Sequence, residues 1–148
     1  MRQRLISMAV LAVAWTVPAG SGEYKPTFGD MMNAFVQPRH IKLGLAGQAG
    51  NWPLAEHELH ELDEAFAAIK AYQPVWNGKP MAQMIAQMTI GPRKDVGDAI
   101  AAKDAKRFGV AFGHLTEACN ACHERIDKPF LKITVPQSSP FADQAFKP

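Results

Sequence analysis

A short motif near the C-terminal end of the chain, Cys119-Asn120-Ala121-Cys122-His123, contains the only two cysteines of the sequence. On a helix, side chains three positions apart lie on one face. Two thiols at this spacing, followed directly by an imidazole, match the pattern in which both cysteines form thioethers to one haem and the histidine binds its iron. The motif therefore predicts one covalently bound haem c per chain, attached through Cys119 and Cys122, with His123 as the proximal iron ligand.

Three other interpretations of the cysteines fit the sequence less well. A thioredoxin-like dithiol lies at the start of a helix in a strand-helix-strand unit, whereas the residues before Cys119 have helical periodicity. A structural zinc site needs four ligands, and no second Cys or His cluster at ligand spacing supplies them. Two inert buried cysteines would leave His123 unexplained. The haem interpretation accounts for all three side chains.

The N-terminal residues 1–19 have the pattern of an export signal. Arg2 and Arg4 precede an apolar run over residues 5–17, and Ala19 ends a small-residue cleavage site. The run is too short for an ordinary membrane span, although an uncleaved N-terminal anchor is the alternative. We expect a periplasmic protein of bacterial type, with residues 20–128 as one domain and residues 129–148 as a C-terminal tail packed on it.

The charge of the mature chain excludes one class of partner. Removal of Arg2 and Arg4 from the 16 basic residues leaves 14, which equals the 14 acidic residues. A neutral chain without a basic patch gives no indication of nucleic-acid binding. After signal cleavage we expect no membrane contact either.

Apolar residues recur every three or four positions in four segments, which predicts four amphipathic helices. The first begins at Phe28, is interrupted at Pro38, and ends in a run of glycines. The second starts at the cap Asn51, and the fourth at the cap Asp104. Gly91-Pro92 is expected to break or bend the third. The stripe of the first helix is Met32, Val36, His40, Leu43 and Gly47, and that of the fourth is Phe108, Phe112, Leu115, Cys119, Cys122 and Ile126.

These segments, with no persistent period-two run before the tail, predict an all-α fold: an antiparallel four-helix bundle with covalent haem. After residue 128, alternating apolar residues and four prolines predict an extended C-terminal tail. We expect this tail to cover a bundle seam or the haem edge.

The chain resembles the class II c-type cytochromes, the cytochrome c-prime group. The resemblance covers residues 28–128 in architecture, and Cys119, Cys122 and His123 in specific motif. It implies thioethers at the cysteines and a proximal His123. It departs from the family at Ile126 and Asp127, where an aromatic residue and an arginine are usual, and in the 25 residues after His123.

The sixth iron ligand must come from upstream, because neither Met nor His follows His123. The resemblance implies a methionine from the first helix, or a distal position without a strong ligand. His40 and Met32 share the apolar stripe of that helix and are the leading candidates. Met31, and from the third helix Met84 or Met88, complete the set.

The ligand set separates the functions. Two protein ligands imply a one-electron carrier that is not an enzyme and that works with redox partner proteins. An open distal site implies a five-coordinate haem protein that binds nitric oxide or carbon monoxide in a protective or sensing role. A peroxidase ranks last, because Arg39 and His40 point about 100° apart on a helix.

Two surface features complete the prediction. The second helix carries an acidic face, with Glu56, Glu61 and Glu64, which is either a docking site for a basic redox partner or simply solvated. His57 and His60 on that helix form an i, i+3 pair that is typical of surface residues and, less often, of a metal site. The resemblance adds homodimers as a familiar oligomeric state.

Overall fold

The structure is a computed structural model that describes residues 24–148, so the predicted signal peptide over residues 1–19 lies outside the described residues. Four helices account for most of this part of the chain. We name them α1 (residues 28–48), α2 (Trp52–Tyr72), α3 (Met81–Ala101) and α4 (Ala105–Arg125). Residues 24–148 contain no strand, only an isolated bridge between Trp76 and Lys79. The all-α prediction is confirmed.

Helix α1 changes its winding along its length. It is α-helical over Phe28–Met31, π-helical over Met32–Val36 and α-helical again over Gln37–Gln48. Its start is fixed by a capping box, in which the Thr27 side chain and the Asp30 side chain each accept from the other's backbone N–H. The π-helical turn ends just before Pro38, which has no N–H to donate to the preceding turn. The interruption predicted at Pro38 thus takes the form of a change of winding, after which a regular α-helical piece begins at Gln37.

The starts of α2 and α4 follow the predicted caps. The Asn51 side chain accepts from the Leu54 N–H, and the Asp104 side chain accepts from the Arg107 N–H. Of the predicted break or bend at Gly91-Pro92, the break does not occur, because α3 runs through Pro92 as one helix. Thr89 and Val96, on either side of this point, are both buried, so packing of one continuous face outweighs the backbone hydrogen bond that proline removes.

The helices surround one hydrophobic core. Each packs on its neighbour in chain order, and α1 also packs on α4, which closes the ring. Such a ring is compatible with a helical bundle. The connection between α2 and α3 turns at Asn77 and Gly78, which both adopt positive φ, as a tight two-residue turn requires. Within residues 24–148, no helix has the length and apolar character needed to span a membrane.

One half of the core is filled by aromatic rings, and we call it the packed half. Phe108 and Phe112 of α4 stack with ring centroids 5.6 Å apart and contact α1 at two glycines. A Cβ atom on Gly47 would lie 2.0 Å from Cζ of Phe108, and one on Gly44 would lie 2.6 Å from Cζ of Phe112. The predicted end of α1 within the run Gly44, Gly47, Gly50 is confirmed, because the helix stops at Gln48 and Gly50 has a positive φ. Gly44 and Gly47 lie inside the helix, where they admit the two rings.

The C-terminal tail has no helix and lies along the bundle. Val135 and Phe146 pack against the core, and the Gln48 side chain donates a hydrogen bond to the Pro136 carbonyl. Lys42 of α1 lies 4.8 Å from the centre of the Phe141 ring. The tail is therefore extended and attached to α1 as well as to the end of α4.

Candidate functional site

The other half of the core contains a cavity of about 490 Å³, and we call it the hollow half. Its size is that of a site for a small molecule or cofactor, and it is lined mostly by apolar side chains. All four helices and the C-terminal tail contribute to its walls. The lining includes Phe28, Met32, Val36 and His40 from α1, Phe66 from α2, Met81, Ile85 and Thr89 from α3, Cys119, Cys122 and His123 from α4, and residues 130–133 from the tail.

The two cysteines are free thiols on the wall of this cavity. Burial, with a smaller contribution from the neighbouring Cys122, raises the pKa of Cys119 to about 11. Burial also raises the pKa of Cys122. Reactive dithiols have lowered pKa values and lie at helix N-termini, whereas these thiols lie in the last two turns of α4. The pair therefore does not have the environment of a thioredoxin-like site.

His123 is held in one orientation by the C-terminal tail. Its Nδ1 lies 2.7 Å from the carbonyl oxygen of Leu131. Because a carbonyl only accepts, Nδ1 carries the hydrogen and donates it, which leaves a lone pair on Nε2. Metal-binding histidines characteristically donate their second ring nitrogen in this way. The imidazole of His123 is thus in the tautomer that an iron ligand needs.

In His40 the two ring nitrogens have the reverse roles: Nε2 forms the hydrogen bond, and Nδ1 forms none within residues 24–148. It is only 3 % exposed, and its Nε2 lies 2.9 Å from the Thr116 hydroxyl oxygen. The Thr116 hydroxyl donates its single hydrogen to the Phe112 carbonyl, so it accepts from His40 Nε2–H. His40 Nδ1 then carries a lone pair, and this buried atom has no hydrogen-bond partner within the described residues. Burial lowers the pKa of His40 to about 4, which keeps the ring neutral.

The structure separates the methionine candidates. Met32 is half-buried and lines the cavity, as His40 does. Met31 is buried elsewhere in the core, and Met84 and Met88 are half-buried outside the lining. None of these three candidates borders the cavity. Their places in the sequence put them one residue off the cavity-facing stripe.

Sequence reasoning missed Met81 and Thr116. Met81 of α3 is fully buried and lines the cavity. Thr116 is buried on the same face of α4 as the cysteines and holds His40. A polar residue on an otherwise apolar stripe, three positions before Cys119, was the available signal for Thr116.

Arg39 and His40 point to different helices, as predicted. Arg39 forms ion pairs with the buried Glu58 and with Glu61 of α2, whereas His40 faces α4. One carboxylate of the predicted acidic face, that of Glu61, is thus already paired within the chain.

His57 and His60 are exposed on α2, and the His60 Nε2 lies 3.3 Å from a Glu64 carboxylate oxygen. No group of three or more His, Cys, Asp or Glu side chains suited to a metal ion occurs in residues 24–148. The exposure of both histidines agrees with the interpretation of them as surface residues on an acidic face.

Comparison with known proteins adds no relative: no family model, no curated protein and no solved structure matches this chain. The chemistry of the site therefore rests on its own residues. The donor set fits a covalently held haem, because two free thiols, a histidine with an unprotonated Nε2 and a buried unpaired nitrogen all border one apolar cavity.

Proposed function

We propose that the chain is a periplasmic monohaem c-type cytochrome that carries single electrons. The observation that carries this proposal is that Cys119, Cys122 and His123 line the same cavity as His40 and Met32. The motif residues are close in sequence, but the two residues of α1 are about eighty positions away. Their convergence on one apolar cavity supports a cofactor site with groups on two sides. A divergent member of the class II group, with an antiparallel bundle, is the finer proposal.

The residues of α4 and the tail would hold the group from one side. Cys119 and Cys122 supply sulfur for two thioethers, and His123 supplies Nε2 for the iron. A covalently bound haem supplies a one-electron iron couple when present. The apolar side chains that make up most of the lining would limit the access of water to the group.

Of the residues of α1, His40 is the one that would best supply a second ligand for the iron. Its ring is neutral, because burial lowers its pKa to about 4, and its Nδ1 lone pair is unpaired. Either ring nitrogen of a neutral histidine is a competent metal ligand. Met32 is the second choice, because it is less buried than His40. Two protein ligands favour electron transfer over ligand binding.

One observation favours the alternative of a five-coordinate protein that binds nitric oxide or carbon monoxide. The Nε2 atom of His40 is already engaged by Thr116, which attaches the ring to α4. If this hydrogen bond holds the ring away from the iron, the distal side is apolar and open. His40 would then accept a hydrogen bond through Nδ1 rather than bind iron.

The experiment is a visible spectrum of the protein matured in a host that attaches haem in the periplasm. We expect covalent haem on a denaturing gel, and its loss in Cys119→Ser/Cys122→Ser. A low-spin spectrum that does not change under carbon monoxide supports the carrier. A high-spin ferrous spectrum that shifts with the gas supports the alternative. Absence of covalent haem from the unsubstituted protein would refute both.

The same spectra identify the second axial residue. If His40 binds the iron, His40→Ala becomes high-spin and binds carbon monoxide, while Met32→Ala stays low-spin. The reverse pattern would assign Met32.

Redox partners are expected to dock in salt-sensitive encounters. If Glu56→Gln/Glu64→Gln leaves the salt dependence of electron transfer unchanged, the acidic face of α2 is excluded as the docking site.

A further inference from the structure

We infer that residues 129–136 form a strap that orients the proximal histidine, and that Asn120 is the positioning residue that fixes this strap. The inference rests on the proposed haem function and deepens it. It assigns a role to the C-terminal extension and to one of the two variable positions of the Cys-x-x-Cys-His motif.

The strap reaches His123 through its backbone. The Leu131 carbonyl accepts the Nδ1 hydrogen of His123 at 2.7 Å. Lys128 N–H donates to the His123 carbonyl at 2.8 Å, which turns the chain back along α4 directly after the helix ends. The chain that follows His123 thus turns back to contact its side chain. Because the acceptor is a main-chain atom, its position is fixed only when the strap itself is held in place.

Asn120 fixes the strap at Ile133, two residues after Leu131. Its Oδ1 accepts from the Ile133 N–H at 2.7 Å, and its Nδ2 donates to the Ile133 carbonyl at 2.9 Å. One amide therefore satisfies both main-chain groups of one residue. Only an amide side chain offers both an acceptor and a donor in this way. This two-point contact sets the register of the strap and with it the position of the Leu131 carbonyl.

The far end of the strap lies on α1. The Gln48 side chain donates to the Pro136 carbonyl at 3.2 Å. A Cβ atom on Gly44 would lie 2.8 Å from Cγ of Pro136, so this glycine also makes room for the strap. Between its two ends the strap covers the cavity, because residues 130–133 all line it. The strap is therefore attached at both ends and spans the cavity between them.

The expected chemical effect concerns the iron. A histidine that donates Nδ1–H to a carbonyl becomes a more basic ligand through Nε2, and this favours the ferric state. If the strap shifts, the hydrogen bond is lost and the ferrous state gains. Changes to such outer-shell partners typically alter metal affinity or activity by 10- to 100-fold.

The test compares Asn120→Ala with Gln48→Ala in the haem-loaded protein. Both changes remove an amide that bonds the strap, but only Asn120 lies beside His123. We expect Asn120→Ala to shift the ferric-ferrous equilibrium about tenfold toward ferrous, which is a rise of about 59 mV in midpoint potential. We also expect faster solvent exchange of the His123 Nδ1–H. Gln48→Ala should change neither quantity.

The outcomes separate the inference from the proposed function. If both Asn120→Ala and the unsubstituted protein hold covalent haem with equal potentials and exchange rates, the strap inference fails and the cytochrome stands. Equal shifts in Gln48→Ala and Asn120→Ala would likewise overturn the specific role of Asn120. If the unsubstituted protein holds no haem, both proposals fall.

A second variant covers the case in which Asn120→Ala does not accumulate. Ile133→Pro removes the main-chain N–H that donates to Asn120 Oδ1. It therefore breaks the same contact from the side of the strap. It is measured for the same two quantities, and the same shifts support the inference while unchanged values overturn it.

Discussion

The packed half and the hollow half of the core are built by the same two helices in different ways. In the packed half, α1 presents glycines and α4 presents Phe108 and Phe112, whose rings fill the space. In the hollow half, α1 presents larger side chains, yet a cavity of about 490 Å³ remains between them and the motif on α4. Helices that approach closely at one end therefore leave space at the other.

His40 lies at the boundary between the two halves. Its ring centroid is 4.6 Å from that of Phe112 in the packed half, and the residue also lines the cavity. The two halves therefore have different roles: the packed half supplies stability, and the hollow half supplies the candidate site.

The largest effect is expected for Gly47→Ala in the packed half. The added Cβ would lie 2.0 to 2.4 Å from three carbons of the Phe108 ring, far inside van der Waals contact. Overpacking as close as this lowers stability by about 3 kcal/mol, because the ring and both helices must move. We expect the free energy of unfolding in guanidinium to fall by about that amount, with the haem spectrum unchanged.

Gly109→Ala is the matched control, because it makes the same change in a helix interior where a Cβ would meet nothing within 4 Å. Alanine is the better helix former, so this variant should gain about 0.5–1 kcal/mol. Equal stabilities for the two variants would show that close approach at Gly47 does not hold the packed half together.

The next effect concerns pH and His40. Burial lowers the pKa of folded His40 to about 4, below its ordinary value of 6.5, so the unfolded chain takes up a proton first as the pH falls. The free energy of unfolding therefore keeps its full value above pH 6.5 and decreases as the pH falls to about 4. The slope approaches about 1.4 kcal/mol per pH unit, for a total of about 3 kcal/mol.

The measurement is the unfolding free energy of the haem-free chain, in which His40 has no iron to bind, at pH 4 to 7 for the unsubstituted protein, His40→Gln and His114→Gln. His114 is exposed on α4. We expect the slope to decrease in His40→Gln alone. A slope that His40→Gln leaves intact would mean that His40 is not kept neutral by the boundary it occupies.

Local patterns predicted most of the fold. The caps at Asn51 and Asp104 satisfy N–H groups within three residues, so they are visible in any short window of sequence. The motif around His123 is equally local. The sequence was less informative where tertiary packing decided the outcome, as at Gly47, which serves a ring from another helix, and at Pro92, which a continuous buried face retains inside α3.

The missed parts of the site are long-range for the same reason. His40 and Thr116 are 76 positions apart, and no periodicity links a histidine to a hydroxyl on another helix. The Leu131 carbonyl is a main-chain atom, so its contact with His123 has no residue type to reveal it. Spacing identifies which residues share a face, but not which face they meet.

The smallest effect is expected for Thr116→Val, which tests the boundary itself. Valine has the shape of threonine but lacks the hydroxyl that accepts from His40 Nε2–H. A buried donor left without a partner costs about 1–2 kcal/mol.

Thr89→Val is the matched control. Thr89 is buried like Thr116, but its hydroxyl only donates to the Ile85 carbonyl of its own helix. That carbonyl keeps its main-chain partner, so we expect the loss in unfolding free energy to be near zero. If Thr116→Val also alters the haem spectrum while Thr89→Val does not, Thr116 connects the two halves by holding the ring of His40. If both variants lose the same free energy, the hydroxyl of Thr116 contributes no more than local helix bonding, and the boundary between the halves rests on the contact between His40 and Phe112 alone.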